Sequence, residues 1–258
     1  MRNIPFSPPD ITEREINAVT EVLRSSWITS GPRTAEFEQK LTKFYGAKRT
    51  LGLASATAAL ELALRLLGIG PGDEVVTSAY TYTASAAVIT HVGATVRLCD
   101  VAEGTIKMDT EKLKTLINEK TKAVIPVDVA GVMENYDAIR SVLEEKKDIF
   151  APKGAYQEAL GRVAIIADAA HSLGAVNKGV PSGQAGDMTA FSFHAVKNLT
   201  TAEGGALTWK SFPGIDDDEV YAHLRLDALH GQSKDALKKM QPGQWEYDIL
   251  FPGRKCNM

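Results

Sequence analysis

The feature that most restricts the fold of this chain is a series of short apolar runs without alternation, separated by stretches of helical period. AVIPV at 123–127 and VAIIAD at 163–168 are apolar on both faces. Such strands suit a sheet covered by helices on each side rather than a half-exposed antiparallel one. Further strands are predicted near Thr50–Ala54 and over Glu74–Ser78, Thr95–Asp100, Thr189–Phe193 and Gly205–Trp209. Helices are predicted around them. Thr12-Glu13-Arg14-Glu15 forms a capping box ahead of Ile16, Val19, Val22 and Leu23. A second helix follows Pro32, with Phe37, Leu41 and Phe44 on one face and Gly46 as its stop. A third runs over Ala58–Leu67, and a last over Val220–Leu229 behind Asp216, Asp217, Asp218 and Glu219, whose charge favours a helix N-terminus. The class is α/β, a three-layer, mostly parallel sheet with helices on both faces. Ligands in such folds collect beyond the carboxyl ends of the strands, where Asp100, Asp128, Asp168 and His171 fall. The stretch between Glu144 and Gly161 lacks a clear period and reads as an insertion or an irregular helical loop, and Trp245–Leu250 as a strand or turn.

With 258 residues, 44% hydrophobic side chains and a formal net charge of −3, the chain has enough apolar surface for a sizeable core and no basic excess pointing to nucleic acid. No linker of Ser, Gly and Pro divides it, so one domain is expected. The N-terminus has no basic-then-apolar signal pattern, and the apolar run Val124–Val132 is broken by Pro126 and Asp128, so neither secretion nor a membrane span is expected. Cys99 and Cys256 are too few for a disulfide framework. A reducing, cytoplasmic setting follows.

Four stretches carry chemistry, and each has a plainer reading. Ser55-Ala56-Thr57 opens a helix after a strand; backbone amides there, with hydroxyls beside them, make an anion site suited to phosphate, or Ser55 is an ordinary cap. Asp168 ends a buried strand. A carboxylate there stays charged only against a cationic or hydrogen-bonding partner, which a protonated pyridine nitrogen could be, or it simply caps the next turn; His171 could be a satisfied buried histidine. Lys197 follows a strand with Phe and Val nearby, where desolvation would lower its pKa as a Schiff-base lysine requires. Ser192 at the strand end could offer a hydroxyl to the same phosphate. Tyr82, in Tyr80-Thr81-Tyr82-Thr83, could stack on a flat ring or be a core tyrosine.

In this order SATAAL, TYTASAAVITHVGA, DAAHSLGA and FSFHAVKNLTTAEGGAL resemble the DegT/DnrJ/EryC1/StrS family of sugar aminotransferases, and WITSGP, PVDVAGVMENYDAI and PGRKCNM extend the likeness over nearly the whole chain. The resemblance implies the large, cofactor-binding domain of the aspartate aminotransferase fold (fold type I) over residues 1–258, without the small C-terminal domain that normally follows the position of Met258. It implies pyridoxal 5'-phosphate as cofactor, joined to Lys197, with Asp168 on the ring nitrogen and His171 near the phenolic oxygen. Tyr82 would stack on the ring, and Ser192, Thr57 and the Ala56 amide would hold the phosphate. Lys255 and Asn257 fall in a motif that reaches the phosphate of the other subunit, implying a homodimer with shared sites. The implied reaction moves an amino group, with glutamate the expected donor, to a keto group of a nucleotide-linked sugar. Lys197 also argues against the branch that dehydrates sugars, which carries histidine there.

Two other readings compete. Alternating strands and helices also build a nicotinamide-dependent oxidoreductase, but the glycine cluster Gly68-Ile69-Gly70-Pro71-Gly72 follows a helix instead of a strand. A catalytically silent cofactor-binding or regulatory homologue would retain the same residues.

Overall fold

Short strands and helices alternate through the computed structural model, which describes residues 4, 5, 7–234 and 246–258. In chain order these are α1 (Glu13–Arg24), α2 (Pro32–Tyr45), β1 (Thr50–Leu53), α3 (Ala56–Leu66), β2 (Glu74–Ser78), α4 (Thr83–His91), β3 (Thr95–Cys99), α5 (Thr110–Leu116) and β4 (Thr121–Ile125). There follow α6 (Tyr136–Glu145), α7 (Ala155–Leu160), β5 (Ala164–Asp168), β6 (Val176–Asn177), β7 (Val180–Pro181), β8 (Met188–Ser192), β9 (Gly205–Trp209) and α8 (Asp217–Ala228). A seven-stranded sheet has the order β1-β9-β8-β5-β4-β2-β3. The strands from β8 to β3 pair in parallel; β9 alone runs against its neighbours, β1 and β8.

β2, β4 and β5 divide their side chains between two helical layers. Val75, Ala123, Ile125, Ala164 and Ile166 join the core formed with α3, α4 and α8, whereas Val76, Val124, Ile165 and Ala167 join that formed with α5 and α6. Near the far end of the sheet Phe191 and Ala206 pack on Leu41 and Tyr45 of α2. The period of two along a strand therefore places both kinds of neighbour in dry surroundings, which is why the runs read as continuously apolar.

Several boundaries differ from expectation. β4 starts at Thr121, earlier than Ala123, and ends before Pro126, which has no N–H to give to the ladder. On α2 it is Tyr45 that is buried, while Phe44 is 62% exposed. The capping box of α1 forms as expected, yet no residue of that helix is buried. α4 and α5 carried no periodic signal, and the β6–β7 hairpin turns on Lys178 and Gly179, both at positive φ. The Glu144–Gly161 stretch is ordered: it holds a 3-10 turn at Lys147–Ile149 and then α7. Trp245 lies outside the described residues, and Ile249 forms an isolated bridge to Gln232.

The two ends of the sheet do different work. At the edge where β2, β4 and β5 begin, Lys122 Nζ donates to the carbonyls of Glu119 and Ala151, each at 2.6 Å. Lys153 Nζ reaches Asp73 at 2.5 Å, and Gln157 Nε2 the carbonyl of Leu67 at 2.7 Å. These contacts bind the Lys147–Leu160 stretch to the starts of the strands. The glycine cluster 68–72 lies in the turn ahead of β2, at this same edge. The opposite edge, roughly 16 Å away over five residues of strand, carries the cleft.

Candidate functional site

Beyond the carboxyl ends of β2, β4, β5 and β8 opens a cleft of about 710 Å³. Its floor and walls include Ser55, Ala56 and Thr57 at the start of α3, Tyr82 after β2, Asp168 and His171 from β5, and Ser192 and Lys197 from β8. Four stretches that lie apart in the sequence are thus brought together by the sheet order. Asp128 lines the cleft as expected, but Asp100 does not: at the end of β3 it is tied to Lys112 at 3.1 Å and to the Val101 amide.

Asp168 is 6% exposed. Its Oδ2 accepts from Ser85 Oγ at 2.7 Å and its Oδ1 from the Ala170 amide at 3.2 Å. Burial pushes its carboxyl above the ordinary range, opposed by these two hydrogen bonds and by the charges of His171 and Lys197. It makes no ion pair among the described residues, so its charge has not been spent on a structural cation. That separates it from Asp187, also buried, whose carboxylate is held by Arg162 at 2.7 and 2.8 Å.

Lys197 sits in the turn after β8, its backbone N–H donating to the His194 carbonyl at 2.9 Å. Its amine has no hydrogen-bond partner among the described residues. Desolvation lowers its pKa, and only Asp168 pulls the other way. An amine so placed holds its free base more readily than a surface lysine does.

His171 stands at the mouth of the cleft, where the Ala130 amide donates to its Nδ1 at 3.2 Å. Ala130 takes a left-handed conformation, φ 54°, to present that N–H. An imidazole whose Nδ1 accepts carries its proton on Nε2. Partial desolvation, with the Lys197 charge adding, lowers the pKa of His171 and favours this neutral form. The plainer reading of a satisfied buried histidine does not hold, nor does that of a core tyrosine for Tyr82, which is 81% exposed.

At the start of α3, Ser55 Oγ accepts from the Ala58 amide at 3.1 Å and is therefore the cap. Thr57 Oγ1 has no such partner among the described residues. The first amides of α3 remain directed at the cleft, as the opening turn of a helix requires. Close behind them passes Gly205, where a Cβ would lie 2.3 Å from the Ser55 carbonyl carbon and 2.6 Å from the Ala56 nitrogen. Ser192 Oγ accepts weakly from the His194 amide at 3.4 Å.

Lys255 and Asn257 are not brought to this cleft. They line a smaller cavity of about 230 Å³ whose wall includes Leu51 and Gly52 of β1. There Lys255 Nζ bonds to Asn257 Oδ1, and Asn257 Nδ2 to Ser30 Oγ. The residues that sequence reading missed are Ser85 and Thr81, hydrogen bonded to one another at 2.7 Å. Asp128 has been counted with the cleft, but it spends both oxygens on the Glu134 amide, Tyr136 Oη and Ser172 Oγ at 2.7–2.9 Å.

A buried carboxylate, an unpartnered amine and a bare helix N-terminus around one cleft leave many chemistries open on geometry alone, and comparison with known proteins narrows them. The model of the DegT/DnrJ/EryC1/StrS aminotransferase family matches residues 9–258. The spore coat polysaccharide biosynthesis protein SpsC of Bacillus subtilis is 41% identical over 256 residues, covering 99% of this chain and 60% of that one. The UDP-4-amino-4-deoxy-L-arabinose–oxoglutarate aminotransferase of Shewanella sediminis is 39% identical, again covering 99% and 60%. Among solved structures, a putative sugar aminotransferase from Streptococcus pneumoniae in its PMP form superposes with a TM-score of 0.95 at 55% identity, over 99% of this chain and 64% of that one. The chain thus spans about three fifths of the length of these relatives. With the family match running through every segment that builds the cleft, the chain belongs to the DegT/DnrJ/EryC1/StrS aminotransferase family.

Proposed function

We propose that this cleft binds pyridoxal 5'-phosphate and serves transfer of an amino group, from glutamate, to a keto group on a nucleotide-linked sugar. The observation that carries the reading is Lys197: an amine without a partner, lowered in pKa by desolvation, in one cleft with the unpaired, buried Asp168. A solved relative is described in PLP and PMP forms, and a curated one as acting on a UDP-linked amino sugar. In the same proposal residues 1–258 are the cofactor-binding domain, and Lys255 and Asn257, turned away from the cleft of their own chain, serve the site of a second copy. The two cysteines, both free, suit a cytoplasmic setting, and among the described residues no helix is long and apolar enough to cross a membrane.

The residues present fit the group. Lys197 would hold it covalently, Asp168 would take its ring N–H, the amides of Ala56 and Thr57 with Thr57 and Ser192 hydroxyls would hold its phosphate, and Tyr82 would cover its ring. Once bound, the cofactor supplies an aldehyde for amines to add to and a ring that withdraws electrons from the reacting carbon. Asp168, whose ionised form the Ser85 and Ala170 hydrogen bonds favour, would hold a proton on the ring nitrogen. His171, with its proton on Nε2, donates at the cleft mouth without adding positive charge. Lys197 Nζ, when not joined to the cofactor, would be the base that takes up a proton and returns it. Its depressed pKa suits that exchange near neutral pH.

The test is Lys197→Ala. The variant is expected to retain cofactor only noncovalently and to lose amino transfer from glutamate to UDP-linked keto sugars by at least 1,000-fold, about the scale of losing a covalent and proton-moving group. Transfer at the parent rate by Lys197→Ala would sink the proposal.

A further inference from the structure

Asp168 has to stay ionised while 6% exposed and without an ion pair among the described residues. Two groups touch its oxygens, the Ala170 amide at 3.2 Å and Ser85 Oγ at 2.7 Å. The shorter contact comes from a side chain that is itself fully buried on α4 and does not line the cleft. Ser85 Oγ also meets Thr81 Oγ1 at 2.7 Å, and Thr81 does line the cleft.

An ionised carboxylate only accepts, and a serine hydroxyl has a single proton. Ser85 must therefore donate to Asp168, which leaves Thr81 as the donor in the second contact. The charge on Asp168 thus orients both hydroxyls. Protonation of Asp168 on Oδ2 would reverse both bonds. The other groups facing Asp168 are Asp128 from the loop after β4, whose like charge opposes ionisation, and His171 and Lys197, whose charges favour it. Tyr136 from α6 is held by Asp128 and does not compensate Asp168.

We propose that Ser85, backed by Thr81, is a positioning residue for the transfer: its hydroxyl keeps the Asp168 carboxylate ionised and fixed in aim. This rests on the functional reading above, but its first test does not need the cofactor. Hydrogen bonds to a charged group are strong enough that losing one moves a carboxyl titration by about one to two pH units. The carboxyl carbon of Asp168, followed by NMR through a pH series on the protein without added cofactor, should titrate that much higher in Ser85→Ala than in the parent. Ser85→Thr should restore the parent value. With pyridoxal 5'-phosphate added, Ser85→Ala should lose about tenfold in kcat with little change in the KM for glutamate, and part of the loss should recover as pH rises. An unchanged Asp168 titration in Ser85→Ala overturns the proposal. Should Ser85→Ala fail to fold, Ser85→Cys, a weaker donor in nearly the same volume, must give an upward shift, and a parent-like titration there overturns it equally. A shifted titration in a protein that never binds the cofactor would uphold the role of Ser85 and defeat the functional reading instead.

Discussion

Lys197 and Asp168 could be picked out from the chain because each breaks a local rule: a lysine among Phe and Val, and a carboxylate ending a fully apolar strand. Ser85 breaks none. It is one more small residue in a helix rich in alanine, and only the meeting of α4 with the end of β5 gives it a partner. The reason for glycine at 205 is likewise hidden in the sequence, since what it avoids, the backbone of Ser55 and Ala56, lies about 150 residues away in the chain. Its role is testable. In Gly205→Ala the added methyl must displace the first turn of α3, because its contacts are backbone atoms that have no rotamer to yield. Overpacking of this kind costs about 1–3 kcal/mol, and here part of the cost falls on the phosphate-binding amides. Titration with inorganic phosphate and with pyridoxal 5'-phosphate should show both affinities weakened at least tenfold; parent-like affinities would mean that the turn accommodates the methyl and does not need glycine.

Among the elements, the inner strands were legible because burial on both faces writes a short apolar run. β2 and β9 have the predicted bounds, and β8 those bounds within a residue. The short helices were not, since α5 has seven residues and α7 six, less than two turns in which a period can show. The stretch containing α7 gains its order from contacts outside itself. Lys122, 2% exposed, caps the carbonyls of Glu119 and Ala151, two exposed residues, so Lys122→Ala should lose two hydrogen bonds whose acceptors water can reach, at about 1 kcal/mol each. The stretch sits at the strand edge away from the cleft. Urea unfolding should therefore record the loss while cofactor affinity stays at the parent value. A large fall in that affinity would show the two edges to be coupled.

For the whole molecule the buried carboxyls pull in two directions. Asp187 is held below its usual range, because the Arg162 pair and the Ile165 amide outweigh its burial. A lowered acid contributes stability that is present above its ordinary value of about 3.9 and is lost as pH falls through the lower folded value. Glu38, Asp128, Glu134 and Asp168 are all raised, chiefly by burial. Their contribution is present below the ordinary values and is lost as pH rises through the raised ones. Stability should consequently be highest on the acid side of neutrality, with the urea midpoint rising from pH 8 toward about pH 5 and dropping again below about pH 4. Arg162→Met should lower stability at neutral pH by about 3–5 kcal/mol, the usual cost of stranding one partner of a buried pair, and should shrink the acid drop, to which Glu61, held low by Arg65 and His91, still contributes. A midpoint that climbs steadily from pH 5 to pH 8 would contradict this balance.

The claim on which the rest depends is that the amine of Lys197 is where the cofactor attaches. Incubating the protein with pyridoxal 5'-phosphate, trapping the adduct with borohydride and mapping the labelled peptide by mass spectrometry tests it directly. The account predicts one dominant label, on Lys197, that disappears in Lys197→Ala; a label spread over surface lysines, or centred on another residue while the protein remains folded, would contradict it.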